Sequence, residues 1–213
     1  MITHVAFDFD GTLADSANVA IASYNEIAEQ HGYGKLTADN FQQLRGMSVL
    51  ERCKALGVPA YKLPALTLQL GKVYRKSVHS VGFFEGIPEL LRELRSWGLR
   101  NVIVSTNEEE NIRAILKAQA AEAWVEDVIC SSRIFGKAQL LRGLMKRTRL
   151  EQHQLVYVGD EHRDIVACKK AGVKVIAVRW GFDTESRLLE AEPDAIASQP
   201  AEVADYVRRW SEM

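Results

Sequence analysis

The sequence has few cysteines, no long apolar run and no block of charge of one sign. Its three cysteines, Cys53, Cys130 and Cys168, stand far apart, are odd in number and form no C-x-x-C pair. They leave no basis for a thiolate zinc site or a disulfide framework, and reduced thiols used as small apolar side chains are expected. No apolar stretch approaches the roughly 20 residues that a bilayer-crossing helix needs. The N-terminus runs straight into Val5-Ala6-Phe7 without a basic leader, so the expectation is no secretory signal, no membrane association and a cytoplasmic location. Lys and Arg number 27 against 28 Asp and Glu, a net charge of −1. Both signs are interspersed, which argues against a nucleic-acid surface.

What is present is an ordinary globular composition, 47% apolar and 26% charged in 213 residues. That length suits one sizeable core, or a core carrying a smaller inserted unit. Ile2 to Phe7, Leu99 to Val104, Val128 to Cys130, Leu155 to Val158 and Val173 to Val178 are short, rich in β-branched residues, and end abruptly in polar or small residues. Each reads as a buried strand. Between them, Glu89 to Trp97, Ala138 to Met145 and Ile165 to Ala171 have helical spacing. Pro88 stands at the start of the first, and Gly98 and Gly172 follow the first and last. Alternating strands and helices predict an α/β fold with a parallel sheet covered on both faces. Ligands bind beyond the carboxyl ends of such strands, where the acids and hydroxyls of this chain stand.

From about Asp15 to Val81 the alternation stops. Ser16 is placed to cap a helix running to Gln30, Ser48-Val49-Leu50-Glu51 reads as a capping box, and a longer helix is expected over Tyr61 to Lys76, regular from Pro64. The block reads as an all-helical insertion hinged near Leu13 to Asp15 and Gly82 to Gly86. The domain division is therefore 1–14 and 83–213 for the core and 15–82 for the insertion.

The strongest chemical signal is Asp8-Phe9-Asp10-Gly11-Thr12-Leu13. Residues two apart in an extended chain project to one side, so Asp8 and Asp10 can converge at a strand end, one as a nucleophile and the other moving protons. Two acids that close call for a cation or a shared proton. Asp160 and Asp164, four apart, would share a face of a helical turn, and beside Asp8 and Asp10 they would make a cluster of hard oxygen ligands suited to Mg2+. Lys137 supplies a cation and Ser105 a hydroxyl at a strand end.

In order along the chain, Asp8-x-Asp10-Gly11-Thr12, Ser105-Thr106-Asn107, Lys137 in Phe135-Gly136-Lys137, and Gly159-Asp160-Glu161-His162-Arg163-Asp164 resemble the four motifs of the haloacid-dehalogenase-like hydrolases. The insertion falls where that superfamily carries its C1 cap. The resemblance implies a Rossmann-like core and a phosphatase with Asp8 as nucleophile and Asp10 as general acid and base. It assigns Lys137 as the stabilising cation and Ser105, Thr106 and Asn107, with Lys137, to the phosphate. It also implies Mg2+ on the Asp8 and Asp160 side chains and the Asp10 backbone carbonyl, with Asp164 a direct or indirect partner.

Asp10 is missing from the dehalogenases and phosphonoacetaldehyde hydrolases of the superfamily, which disfavours both. Phosphomutases of the β-phosphoglucomutase type keep it but carry a cap histidine where this chain reads Asn18-Val19-Ala20-Ile21. The phosphoglycolate-phosphatase-like branch fits best, with Leu13-Ala14-Asp15-Ser16 after the first motif and Arg45-Gly46 in the cap. Arg45 is read either as a clamp on an acidic substrate group or as a solvated helix end. His162 is read as a surface residue, Glu108-Glu109-Glu110 as a helix start, and Trp180-Gly181-Phe182 as either pocket mouth or packing. The expected substrate is a small phosphorylated metabolite, the expected state a monomer or homodimer. The alternatives are a phosphomutase and a non-catalytic phosphate- or partner-binding module.

Overall fold

In the computed structural model, all residues except Ser132, Phe135 and Met213 are described. Phe135, which opens the third motif, therefore lies outside the described residues. The chain opens with β1 (His4–Phe7), β2 (Ala14–Asp15), α1 (Ala17–His31), α2 (Ala38–Arg45), α3 (Val49–Ala55), α4 (Leu63–Tyr74) and β3 (Gly82–Phe83). Strands and helices then alternate through α5 (Ile87–Ser96), β4 (Arg100–Ser105), α6 (Glu109–Ala118), β5 (Asp127–Cys130), α7 (Lys137–Thr148) and β6 (Leu155–Gly159). The last elements are α8 (His162–Ala171), β7 (Lys174–Val178), α9 (Glu185–Glu190), β8 (Ala195–Ala197) and α10 (Pro200–Glu212).

Six strands form one sheet in the order β5-β4-β1-β6-β7-β8, and every pairing in it is parallel. The α/β fold with a Rossmann-like sheet is thus observed. Alternation along each strand assigns the two faces. Val5, Phe7, Ile103, Val156 and Val158 meet α5, α6 and α10 through Leu91, Leu94, Ile112, Ile115 and Val207. Ala6, Val102, Val104, Leu155 and Tyr157 meet α7, α8 and α9 through Leu141, Leu144, Ile165 and Leu188. With both faces covered, the strands read as near-continuous apolar runs. β1 lies at the centre, with β4 on one side and β6 on the other. The order of connection reverses there, so the crevice beyond its carboxyl end is open to a ligand.

The segment of α1 to α4 has its own small core of Tyr24, Ala28, Leu44, Cys53, Leu56, Val58 and Leu63. Several local expectations need correction. Ser16 occupies the N-cap position of α1 but its side chain makes no cap hydrogen bond. The helix expected over Tyr61 to Lys76 is α4 flanked by two 3-10 turns. Strand structure does touch the insertion, because β2 pairs antiparallel with β3 where the chain leaves and returns. α2 and β8 were not expected: the apolar face of α2 is short, Ala38, Phe41 and Leu44, with only Leu44 buried, and β8 is three residues long. All three cysteines are free thiols, Cys53 and Cys168 buried and Cys130 half-buried. Among the described residues no helix is long and apolar enough to cross a membrane.

Candidate active site

Parallel strands deliver the polar residues to one edge. Asp8 follows β1, Ser105 ends β4, Asp160 follows β6, and Lys137 begins α7 after β5. All four are buried. Lys137 Nζ lies 2.6 Å from Asp8 Oδ2 and 2.6 Å from Asp164 Oδ1. Carboxylate oxygens of Asp8, Asp160 and Asp164 lie within 4.8 Å of one another. Asp160 is further fixed by Thr12 Oγ1, which donates to its Oδ1 at 2.7 Å, and by the Phe182 amide, which donates to Oδ2 at 2.7 Å.

Two glycines make this approach possible. Gly11 has φ 80°, in the left-handed region, and a Cβ there or at Gly181 would collide with the Asp160 carboxylate.

Charge does not balance in this cluster. Burial, then the charges of Asp8, Glu161 and Asp164, push the Asp160 carboxyl far above its usual range. Burial also lifts Asp164, to about 7, although Lys137 opposes it. Burial works against the Lys137 ammonium, yet Asp164 and Asp8 hold its pKa above the usual value, so it stays charged. With all three acids ionised, one ammonium would leave negative charge uncompensated, and the donors are all hard oxygens. The residues present therefore fit a divalent ion such as Mg2+. The Asp10 carboxyl is not part of this group of three.

Asp10 faces a different set of partners. Its Oδ2 accepts from Asn107 Nδ2 at 2.8 Å and its Oδ1 from the Tyr74 hydroxyl at 2.9 Å. Burial, with the nearby Asp8 charge, raises its pKa against these donors. Ser16 lies near enough to favour the ionised form, although its buried Oγ makes no well-formed hydrogen bond. Ser105 Oγ accepts from the Asn107 amide at 3.1 Å. The Asn107 side chain, expected at the phosphate, is turned to Asp10. Ser105, Thr106 and Asn107 line a cavity of about 340 Å³ together with Asp8, Asp10 and apolar side chains of α1, α2 and α4.

Residues 5–178 match the family model described as haloacid dehalogenase-like hydrolase. The chain belongs to that family. A phosphoglycolate phosphatase of Synechococcus elongatus is 30% identical over 203 residues, covering 95% of this chain and 96% of the relative. The pyrophosphatase PpaX of Bacillus pumilus is 23% identical over 214 residues, covering 97% and 96%. Among solved structures, a haloacid dehalogenase-like hydrolase of Streptococcus pneumoniae superposes with a TM-score of 0.81 at 24% identity, covering 97% of this chain and 98% of the other.

As a haloacid dehalogenase-like hydrolase, the chain joins a second charged layer to this site, and the sequence reading missed most of it. Arg52 of α3 pairs with Asp183, whose other oxygen accepts from the His162 amide at 2.7 Å. Glu161 is buried, paired with Arg163, and 3.8 Å from Arg52. Burial would raise Glu161, but Arg163, Lys137 and Arg52 hold its pKa below the usual value. Arg45 is half-buried and lines the cavity, and its Nε and Nη2 donate to the carbonyls of Phe182 and Gly181 at 2.7 and 2.8 Å. Phe182 lines the cavity, whereas Trp180 packs and donates to the Thr12 carbonyl at 3.0 Å. Glu108 occupies the N-cap position of α6 without a side-chain cap hydrogen bond, and Glu109 and Glu110 lie in its first turn. His162, expected at the surface, is half-buried at the start of α8. No sequence motif marks Tyr74, Arg52 or Asp183, since each gains meaning only from a neighbour far away in the chain.

Proposed function

We propose that this protein is a Mg2+-dependent phosphoric monoester hydrolase that frees phosphate from a small phosphorylated metabolite through an aspartyl-phosphate on Asp8. The observation that carries the reading is the buried constellation of Asp8, Lys137, Asp160 and Asp164, with Asp10 held apart from it on its own donors.

An Asp8 oxygen attacks phosphorus in line, and the bond from phosphorus to the leaving oxygen breaks while Asp10 gives that oxygen a proton. In the second step Asp10 takes a proton from a water, whose oxygen attacks the same phosphorus and returns Asp8 to a free carboxylate. Lys137 faces the negative charge on the transferring oxygens, and Ser105, Thr106 and Asn107 are the remaining candidates to orient them. Asp8, Asp160 and Asp164, with the Asp10 carbonyl, would hold Mg2+, which when bound offsets charge on the phosphoryl oxygens. In this reading residues 15–82 act as a cap over a core of 1–14 and 83–213, closing the site against bulk water. The Synechococcus relative makes phosphoglycolate the first metabolite to try.

Ala20 and Ile21 line the cavity where the phosphomutase pattern has a histidine, which supports hydrolysis over phosphoryl return to a sugar. Turnover of p-nitrophenyl phosphate with and without Mg2+, beside Asp8→Asn, tests the proposal. Magnesium-dependent phosphate release abolished by Asp8→Asn is expected. Turnover that survives in Asp8→Asn would remove Asp8 as the nucleophile.

A further inference from the structure

Resting on the hydrolase reading, we propose that Tyr74 is a positioning residue for Asp10, carried by the helical insertion and aligning the acid only while that insertion is seated on the sheet.

Each oxygen of Asp10 has one donor, and the two donors come from different elements of the fold. Asn107 follows β4 and donates to Oδ2, while Tyr74 ends α4 and donates to Oδ1. A carboxyl bound at both oxygens has its plane fixed. With one donor removed it can turn about the remaining bond.

The contact is part of a seam. Residues three and four apart share a helix face, and Gly71, Tyr74 and Arg75 all reach the same region of the core. The Gly71 carbonyl accepts from Asn111 Nδ2 at 3.2 Å, and Asn111 also donates to Asn107 Oδ1 at 3.0 Å. Arg75 pairs with Glu108 and Glu110 at the start of α6. Gly71 permits the approach, because a Cβ there would stand 3.0 Å from Glu108. Tyr74 itself is buried in the core that β1 and α5 share, so its hydroxyl is carried on a packed ring. Seating the insertion therefore completes the grip on Asp10 at the moment the cavity is covered.

General acid help matters in proportion to how badly the leaving oxygen needs a proton. Nitrophenolate leaves readily without one and phenolate does not, while the two esters are close in size. The test is kcat and KM for p-nitrophenyl phosphate and phenyl phosphate with wild type, Tyr74→Phe and Tyr74→Leu. Removing only the hydroxyl in Tyr74→Phe should lower kcat on phenyl phosphate by about ten-fold or more, a part of the roughly 10²–10⁴ that acid catalysis supplies. On p-nitrophenyl phosphate the loss should stay below about three-fold. Equal losses on both esters, or loss in Tyr74→Leu with none in Tyr74→Phe, would show that Tyr74 only packs and would overturn the proposal. A wild type that hydrolyses neither ester, nor any phosphorylated metabolite, would instead remove the hydrolase reading on which it rests.

Discussion

Replacing Lys137 by methionine tests whether the acids of the site are held together by that single ammonium. The side chain keeps its length and loses its charge. Its Nζ stands 2.6 Å from each of two buried carboxylates, and at an effective dielectric of about 20 each such pair attracts by roughly 6 kcal/mol. Most of that offsets the cost of burying the charges, and taking away one partner of a buried pair costs about 3–5 kcal/mol net. For a chain of this length each kcal/mol moves Tm by about 2–4 °C, so a fall of about 6–20 °C is expected in metal-free protein.

The loss should depend on pH. Asp164, with a folded pKa of about 7, lies above its unfolded value near 4. Its favourable contribution is complete below about pH 4 and disappears as pH rises through about 7. Without Lys137 that pKa rises further and the decline continues above 7. Variant and wild type should therefore differ least near pH 5 and most near pH 8. Thermal melts in EDTA across that range read the difference, and Mg2+-supported turnover should fall by about 10²–10³. A variant within about 1 kcal/mol of wild type at pH 8, as melted in EDTA, would show that the three acids do not ionise together and would refute the reasoning.

Other outcomes follow from the same contacts. Gly181→Ala drives a Cβ into Asp160, and Mg2+ affinity read by titration calorimetry should weaken by about 10–100-fold. Arg52→Ala leaves buried Asp183 without its ion pair; because Arg52 is partly exposed, a destabilisation of about 2 kcal/mol by urea melts is expected. In wild type without metal, stability should decline from about pH 4 to 7 by the Asp164 linkage, and saturating Mg2+ should flatten that decline because it favours the ionised acids.

Local chemistry made much of the fold legible. Strands such as Leu155–Gly159 are apolar on both faces and stop at a glycine or an acid, which is visible without coordinates. The capping box of Ser48 and Glu51 needed only two residues three apart, and the structure has it. α2 stayed hidden because Ala38–Arg45 is only eight residues long and mostly polar, with Leu44 its one buried residue. β8 stayed hidden because three residues carry no period. The ribbon of β2 and β3 joins positions 67 or more residues apart, which no local pattern can pair.

The sequence by itself determined the alternation, the acids at strand ends and the order of the four motifs, because each of these lies within a few consecutive residues. Only the tertiary structure decided that Lys137 bridges Asp8 and Asp164, that Asn107 and Tyr74 each donate to one oxygen of Asp10, and that Arg45 holds the loop of Gly181 and Phe182. Those contacts join residues 27 to 137 positions apart. Their partners are chosen by how the sheet is ordered and where the helical insertion settles, and hydrogen bonds and ion pairs act only over a few ångströms.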